Sequence, residues 1–570
     1  MIRAIGPSNS VGSDIAMPML VIGLCWAPVG LGGLVWIAGH AASWLAGHGW
    51  RGPGFTATSA ESFLEGGPEV LWPGTPAALV WTLTGLLAIV LVALIATAVI
   101  VRLRLHGNRS TSGLATPADV SMLLPRAVAE RTTRLRPSTK ADSARSPRPP
   151  RENGVLLGRI RLGGRCGPEL RASWEDVVLA VMAPRAGKTT ALAVPAVLDA
   201  PGPVVATSNK PDLWQVTRVR RAEADGGRTW VFDPQAITGV DRTWWWNPLR
   251  GVTDVEQAHR LAGHFIQEVR GSKSQRDFWT SAAHDLLTGL LLAAALSECD
   301  LVEVYEWLND PSNTEPARLL IKAGHPAAAA SLTGRQNGAP ETRDGIYETA
   351  RTAAQCLRDP RIMSWVTSDL VTVEFVADNF ISTRHTLYLL SKDGAGAAAP
   401  LVAALADRVM SVATYAAERA GGRLDPPMVV VLDEAANVCR IADLPELYSH
   451  LGSRGILPLT ILQSYRQGTR VWGEHGMDAL WSASTCKVLG AGLDDARFVE
   501  DVSRLIGDHD VPVRSISRGA GRASESTSLR RQRIMPAESI RALPRGRALL
   551  LATGCRVALL ELQPWFRRSS

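Results

Sequence analysis

The segment Val181-Met-Ala-Pro-Arg-Ala-Gly187-Lys188-Thr189-Thr190 restricts the fold of this chain more than any other. It follows the apolar run Val177–Val181 and opens a stretch of helix-forming residues. A buried strand, a tight loop ending in Gly-Lys-Thr and then a helix is the layout of a phosphate-binding loop. In such a loop the backbone N–H groups of Pro184-Arg185-Ala186-Gly187-Lys188-Thr189-Thr190, proline excepted, and the helix N-terminus point at nucleotide phosphates. Lys188 reaches the β- and γ-phosphates and the Thr189 hydroxyl binds Mg²⁺. The pattern asks for Gly at position 182, where this chain has Met182. Either the turn begins without a left-handed residue or the match is accidental.

A second run answers the first. Met428-Val-Val-Val-Leu432 is a strongly apolar strand ending in Asp433-Glu434. A carboxylate at such a strand end holds the Mg²⁺ shell, and the next one takes a proton from the attacking water. An acidic helix cap is the plain alternative. A third apolar run, Leu459–Leu462, ends at Gln463, whose amide is suited to sensing the γ-phosphate or positioning water. Arg454, flanked by Gly452 and Gly455, reads either as an arginine finger into a neighbouring subunit's site or as a solvated loop residue.

The other apolar runs, Val204–Ala206, Trp230–Phe232 and Leu387–Leu390, alternate with helical stretches and predict an α/β core with a mostly parallel sheet. Residues 254–370 are helical in pattern and read as an all-helical insertion, with a loop at about 323–345. Trp244-Trp245-Trp246 reads as buried packing in preference to base stacking.

Residues 1–106 form a membrane anchor in this reading. Ile15–Ala38 carries no charge, and Ala77–Val101 exceeds the roughly 20 apolar residues that cross a bilayer. Arg102, Arg104 and Arg109 place the end of the second span in the cytoplasm, and the Glu-bearing segment between the spans outside. Both termini are then internal; a cleaved signal peptide is the alternative for the first span. Residues 107–152, rich in Arg, Pro and Ser towards their end, predict a basic linker near lipid headgroups. Residues 153–570 then form the nucleotide-binding domain. The seven cysteines are scattered, which speaks against a disulfide framework or zinc site.

The formal net charge of +7 is compatible with a polyanionic partner. Arg514, Arg518, Arg522, Arg530, Arg531 and Arg533 face Glu525 alone among acidic residues between 514 and 533. They line a DNA path or belong to a flexible surface loop. The final segment, 547–564, predicts a hairpin or edge pair completing the sheet.

Taken in order, two N-terminal apolar segments, APRAGKTT, GPVVATSNKPDL, VFDPQ with WWNPL, the FW-containing helix, VVVLDEAANV and SRGILPLTILQS resemble the coupling ATPases of conjugative type IV secretion, the TraG/TraD-like group. The resemblance covers about residues 175–565 plus the membrane topology. It implies a RecA-like P-loop ATPase with an inserted all-helical domain, assembled as a homo-hexamer on the inner membrane. It also implies ATP and Mg²⁺, DNA (single-stranded, through its backbone), a relaxase or other substrate, and secretion-channel proteins as partners. By motif position Lys188 and Thr189 match the P-loop, Asp433 and Glu434 the Walker B pair, and Gln463 the strand-end glutamine. Met182 departs from the family's usual Gly. A protein-only secretion ATPase and a non-hydrolysing membrane scaffold are the rival expectations.

Overall fold

The apolar stretch before Arg102 forms one continuous helix, α1 (Ala77–Gly107). In this computed structural model the described residues are 30–50, 52–107, 113–136, 153–223, 226–269, 278–369, 371–394, 396–519 and 522–568; side chains are described outside 99–112 and 513–527. The chain divides into two units, Met1–Ser110 and Thr111–Ser570.

In the first unit α1 is apolar on every side, and Leu86, Ile89, Val92 and Leu94 are exposed. Among the described residues it is the one helix long and apolar enough to cross a bilayer. The first expected span, 15–38, lies mostly outside the described residues; its end belongs to a helix over 30–45. Two transmembrane helices are therefore not shown.

The second unit is a mixed α/β fold. Its strands are β1 (Val155–Leu162), β2 (Arg165–Ala172), β3 (Val178–Val181), β4 (Val204–Ser208), β5 (Thr229–Phe232), β6 (Trp244–Trp245), β7 (Val373–Glu374), β8 (Thr386–Leu390), β9 (Met428–Leu432), β10 (Ile456–Leu462), β11 (Cys486–Gly490), β12 (Asp508–Gly519), β13 (Arg522–Arg533), β14 (Arg547–Ala552) and β15 (Ala558–Glu561). Eleven of them form one sheet in the order β2-β1-β15-β14-β11-β3-β10-β9-β4-β8-β5. From β11 to β5 every pairing is parallel, and from β11 through β14, β15 and β1 to β2 every pairing is antiparallel.

The parallel strands are buried on both faces, which is why they read as unbroken apolar runs. On β3 and its flanks, Val177, Leu179 and Val181 enter one hydrophobic core while Val178, Ala180 and Met182 enter the other. Helix α2 (Thr189–Asp199) follows β3 and contributes Leu192, Ala196 and Val197 to the second core. Between β6 and β7 the described elements are all helical, the longest being Phe278–Ala295 and Pro340–Ala353. Trp244 is packed edge-on against Trp230 and Trp365 and is 2% exposed, so the Trp run is packing material.

Four sequence expectations need correction. Within the expected linker, residues 113–136 are folded. Helix Pro125–Leu135 buries Val128 and Thr132, the Ala115 N–H donates to the Val557 carbonyl, and Arg131 pairs with Glu175 at 3.2 Å. The expected loop at 323–345 is largely helical, Pro326–Gln336 and the start of Pro340–Ala353. Each helix has its proline in the first turn, where no N–H is needed, and good helix formers behind it. The C-terminal segment is the expected hairpin, β14–β15, but it does not complete the sheet, because β1 and β2 extend it further. The Arg-rich stretch is not a loop: β12 and β13 form an antiparallel hairpin in register from Asp508↔Arg533 to Gly519↔Arg522.

Candidate functional site

Four neighbouring parallel strands, β3, β10, β9 and β4, end on the same edge of the sheet. In parallel α/β sheets that carboxyl edge is where ligands bind. The Gly-Lys-Thr loop follows β3, Gln463 follows β10, Asp433-Glu434 follow β9, and Asn209 lies just past β4.

The loop turns through two left-handed residues, Arg185 (φ 62°) and Gly187 (φ 95°), and Met182 is not one of them. The Met182 N–H instead donates to the Leu462 carbonyl at 3.0 Å and prolongs the strand pairing. No glycine is needed where φ is negative. The Met182 side chain is fully buried and occupies the space over Gly490, where an added Cβ would meet Met182 Cε at 2.2 Å. Restoring the consensus is thus costly rather than neutral: Met182→Gly empties a core site. It should lower the unfolding free energy by about 2–5 kcal/mol, the range for large-to-small core changes. Thermal or denaturant unfolding of the two proteins side by side measures this, and equal stability would remove the packing role.

Lys188 is 8% exposed, and its Nζ donates to Glu434 Oε1 at 2.8 Å. Gln463 Nε2 donates to the same oxygen at 3.1 Å, and Asn209 Nδ2 donates to Glu434 Oε2 at 2.5 Å. Burial by itself would raise the Glu434 carboxyl; the hydrogen bond and charge of Lys188, with the Gln463 amide, outweigh it and hold the group below its ordinary value. Thr189 Oγ1 donates to Asp433 Oδ2 at 2.8 Å. Asp433 Oδ1 is buried with no hydrogen-bond partner, and burial pushes this carboxyl up to about 6 despite Lys188 and Thr189. An unpartnered carboxylate oxygen beside a threonine hydroxyl is a fitting ligand pair for a hard divalent cation such as Mg²⁺. Above it, Gly187 leaves the loop open: a Cβ there would find nothing closer than Thr190 Oγ1 at 3.8 Å. Pro184 and Arg185 are exposed on the loop and Ala186 is buried beneath it. The arrangement can hold a polyanion at the loop, a divalent cation at Asp433 and Thr189, and a water near Glu434.

Lys188, Thr189, Asp433, Glu434 and Gln463 are brought together. Arg454 is not. It sits in the turn before β10, at the opposite end of that strand from Gln463, with the seven residues of β10, about 23 Å at about 3.3 Å per residue, between them. There its Nη2 pairs with Glu418 Oε1 at 2.9 Å. On the hairpin, Arg531 and Arg533 pair with Asp508 at 3.3 and 3.5 Å, and Arg533 also meets Glu500 at 3.6 Å. Arg530 is exposed, and the side chains of Arg514, Arg518 and Arg522 lie outside the described ones. Asn209 was not singled out by sequence. The signal for it was weaker than that for Gln463, because the polar Thr207 and Ser208 separate it from the apolar run Val204–Ala206.

A family model described as the TraM recognition site of TraD and TraG matches residues 427–545, from β9 into the loop before β14. The conjugal transfer protein TraG of Agrobacterium fabrum (strain C58 / ATCC 33970) is 23% identical over 360 residues, covering 60% of this chain and 53% of that protein. The type IV secretion system-coupling protein VirD4 of Bartonella quintana (strain Toulouse) is 21% identical over 392 residues, covering 64% and 59%. The chain thus spans between half and two thirds of the length of these relatives. Among solved structures, the plasmid coupling protein TrwB in complex with ADP and Mg²⁺ superimposes with a TM-score of 0.51 at 18% identity, over 75% of this chain and 91% of that one. By family model, by curated relatives and by fold, the chain is similar to the coupling proteins of conjugation and type IV secretion.

Proposed function

We propose that this chain is an ATP-hydrolysing motor that drives DNA, or DNA with attached protein, toward a conjugative or type IV secretion channel at the inner membrane. The observation that carries this is the junction of Lys188 and Thr189 with Asp433 and Glu434 at the ends of adjacent parallel strands. The similarity to TrwB, solved with ADP and Mg²⁺, supports the same ligands here. The match to a TraM recognition site supports a relaxosome partner for residues 427–545. Helix α1 supports attachment to the membrane; a second span would fall largely outside the described residues.

In this reading the loop N–H groups and Lys188 Nζ bind the β- and γ-phosphates. Lys188 leaves Glu434 to do so, which frees that carboxylate to take the proton of the attacking water. Gln463 stays on Glu434 and orients it. Mg²⁺ bound by Thr189 and Asp433 supplies charge stabilisation to the phosphoryl oxygens. Basal and DNA-stimulated ATPase assays on the full-length protein in detergent test the proposal. Stimulation by DNA supports it, turnover indifferent to DNA favours protein export, and no turnover in a folded protein favours a scaffold.

DNA contact belongs to the backbone phosphates in this reading, through the β12–β13 hairpin. Replacing Arg530, Arg531 and Arg533 together by Ala should make log K fall less steeply with log salt, by about 0.7 of slope for each lost contact to a single strand. Fluorescence-anisotropy titrations across a salt series measure the slope. An unchanged slope would assign the hairpin to another partner.

Arg454 completes a neighbour's site in the homo-hexameric form of this reading, after releasing Glu418. Arg454→Ala should then assemble but lose turnover. Mixing it with Glu434→Gln subunits should recover activity above the sum of the two, because some interfaces pair an intact Glu434 with an intact Arg454. Mixed rings without recovery, with exchange verified by a label, would return Arg454 to a structural role.

A further inference from the structure

Glu434 occupies left-handed backbone (φ 55°, ψ 42°) between the end of β9 and the short helix Ala435–Val438. Neither a strand nor a helix aims its side chain. The carboxylate is aimed by its donors, which come from three other elements: Lys188 and Gln463 on Oε1, Asn209 on Oε2. Phosphate and Glu434 compete for Lys188 Nζ, so nucleotide binding removes the strongest of the three. Oε1 then keeps Gln463, and the hold on Oε2 is Asn209 alone among these donors. Asn209 is half-buried just past β4, the strand beside β9, and no nucleotide role is required of it to make this contact.

We propose that Asn209 is a positioning residue for hydrolysis, whose amide N–H fixes Glu434 Oε2 so that the carboxylate keeps one orientation once Lys188 is drawn away by phosphate. This rests on the ATPase reading of the site. Without the amide, and with Lys188 on the phosphate, the Glu434 carboxylate is held through Oε1 alone and is free to turn about that contact. That arrangement takes the carboxylate off the water. The contribution is thus to the chemical step and not to nucleotide affinity.

The test is steady-state ATP turnover by the full-length protein, wild type beside Asn209→Ala and Asn209→Asp. Aspartate has the shape of asparagine but presents an oxygen where Nδ2 donates. Loss of a hydrogen bond to a charged group should lower kcat about tenfold or more in both variants. KM for ATP should stay within about threefold of wild type, as for an interaction expressed in the transition state. Asn209→Asp should be no better than Asn209→Ala. Near-wild-type turnover by Asn209→Asp would mean that the side chain only fills space, and would overturn the proposal. Unchanged kcat in both, or a raised KM with unchanged kcat, would do so too. If thermal melting shows that Asn209→Ala does not fold, the isosteric Asn209→Asp carries the comparison with wild type. Wild-type turnover with unaffected variants sinks this proposal alone, whereas a folded wild type with no turnover sinks the hydrolysis reading and this with it.

Discussion

Lys188→Ala is expected to abolish ATP turnover while the fold survives. The lysine is the one cation whose Nζ stands between the Gly-Lys-Thr loop and the acidic strand end among the contacts described there. Its loss removes the charge that would meet the β- and γ-phosphates, and the interaction that holds the Glu434 carboxyl low against burial. The fold does not depend on it, because Glu434 keeps the donors Asn209 and Gln463 and is not left as an orphaned buried charge. Binding and turnover should therefore fall while the melting curve changes little. Turnover of the purified variant above about a tenth of wild type would represent a loss of less than about 1.4 kcal/mol of barrier and would count against the phosphate role of Lys188.

The parts of this site that were legible in the sequence share a cause. β3, β9 and β10 are buried on both faces, so each appears as an unbroken apolar run, and the residue that ends the run is where the chain reaches the ligand edge of the sheet. Sequence gives the ends of strands but not their neighbours. That β4 lies against β9, and so brings Asn209 to Glu434, follows from the order β3-β10-β9-β4, a tertiary fact. β1 and β2 escaped notice for the opposite reason. Arginines and glycines interrupt VLLGRIRL and RCGPELRA, and burial along the antiparallel extension is uneven, from buried Leu156 and Leu170 to exposed Arg165 and Pro168. The Arg-rich hairpin looked like a loop because its composition lacks the strand-forming aromatics, while its backbone pairs over twelve residues of each strand. Met182 looked like a defect because a consensus records residue type and not φ. The left-handed turn is at Arg185 and Gly187, and the space a glycine would have left is filled against Gly490.

The two carboxylates at the end of β9 should separate by function when each is changed alone. Glu434→Gln keeps the length of the side chain and an oxygen that can accept from Lys188 or Gln463, so Mg²⁺ and ATP should still bind. It lacks a base for the attacking water, and turnover should fall by about 10²-fold or more, leaving the ATP-bound protein to accumulate. Asp433→Ala should act earlier. It removes the unpartnered Oδ1 and the acceptor of the Thr189 hydroxyl, so ATP binding should lose its dependence on Mg²⁺. The pH dependence gives the sign of the effect. The Asp433 carboxyl sits at about 6 in the ligand-free protein, raised by burial. A carboxyl with a folded pKa above its unfolded one favours the fold below the unfolded value and loses that contribution as pH rises through the folded one. The ligand-free protein is therefore relieved by acid between about pH 6 and 4, whereas the cation requires the ionised form. The Mg²⁺-dependent part of nucleotide affinity should decline as pH falls through about 6, and Asp433→Asn should lack that limb. Isothermal titration with and without Mg²⁺, at several pH values, reads both effects. Identical Mg²⁺ dependence in Glu434→Gln and Asp433→Ala would mean that the two carboxylates share one task, and that neither the cation nor the water can be assigned to one of them.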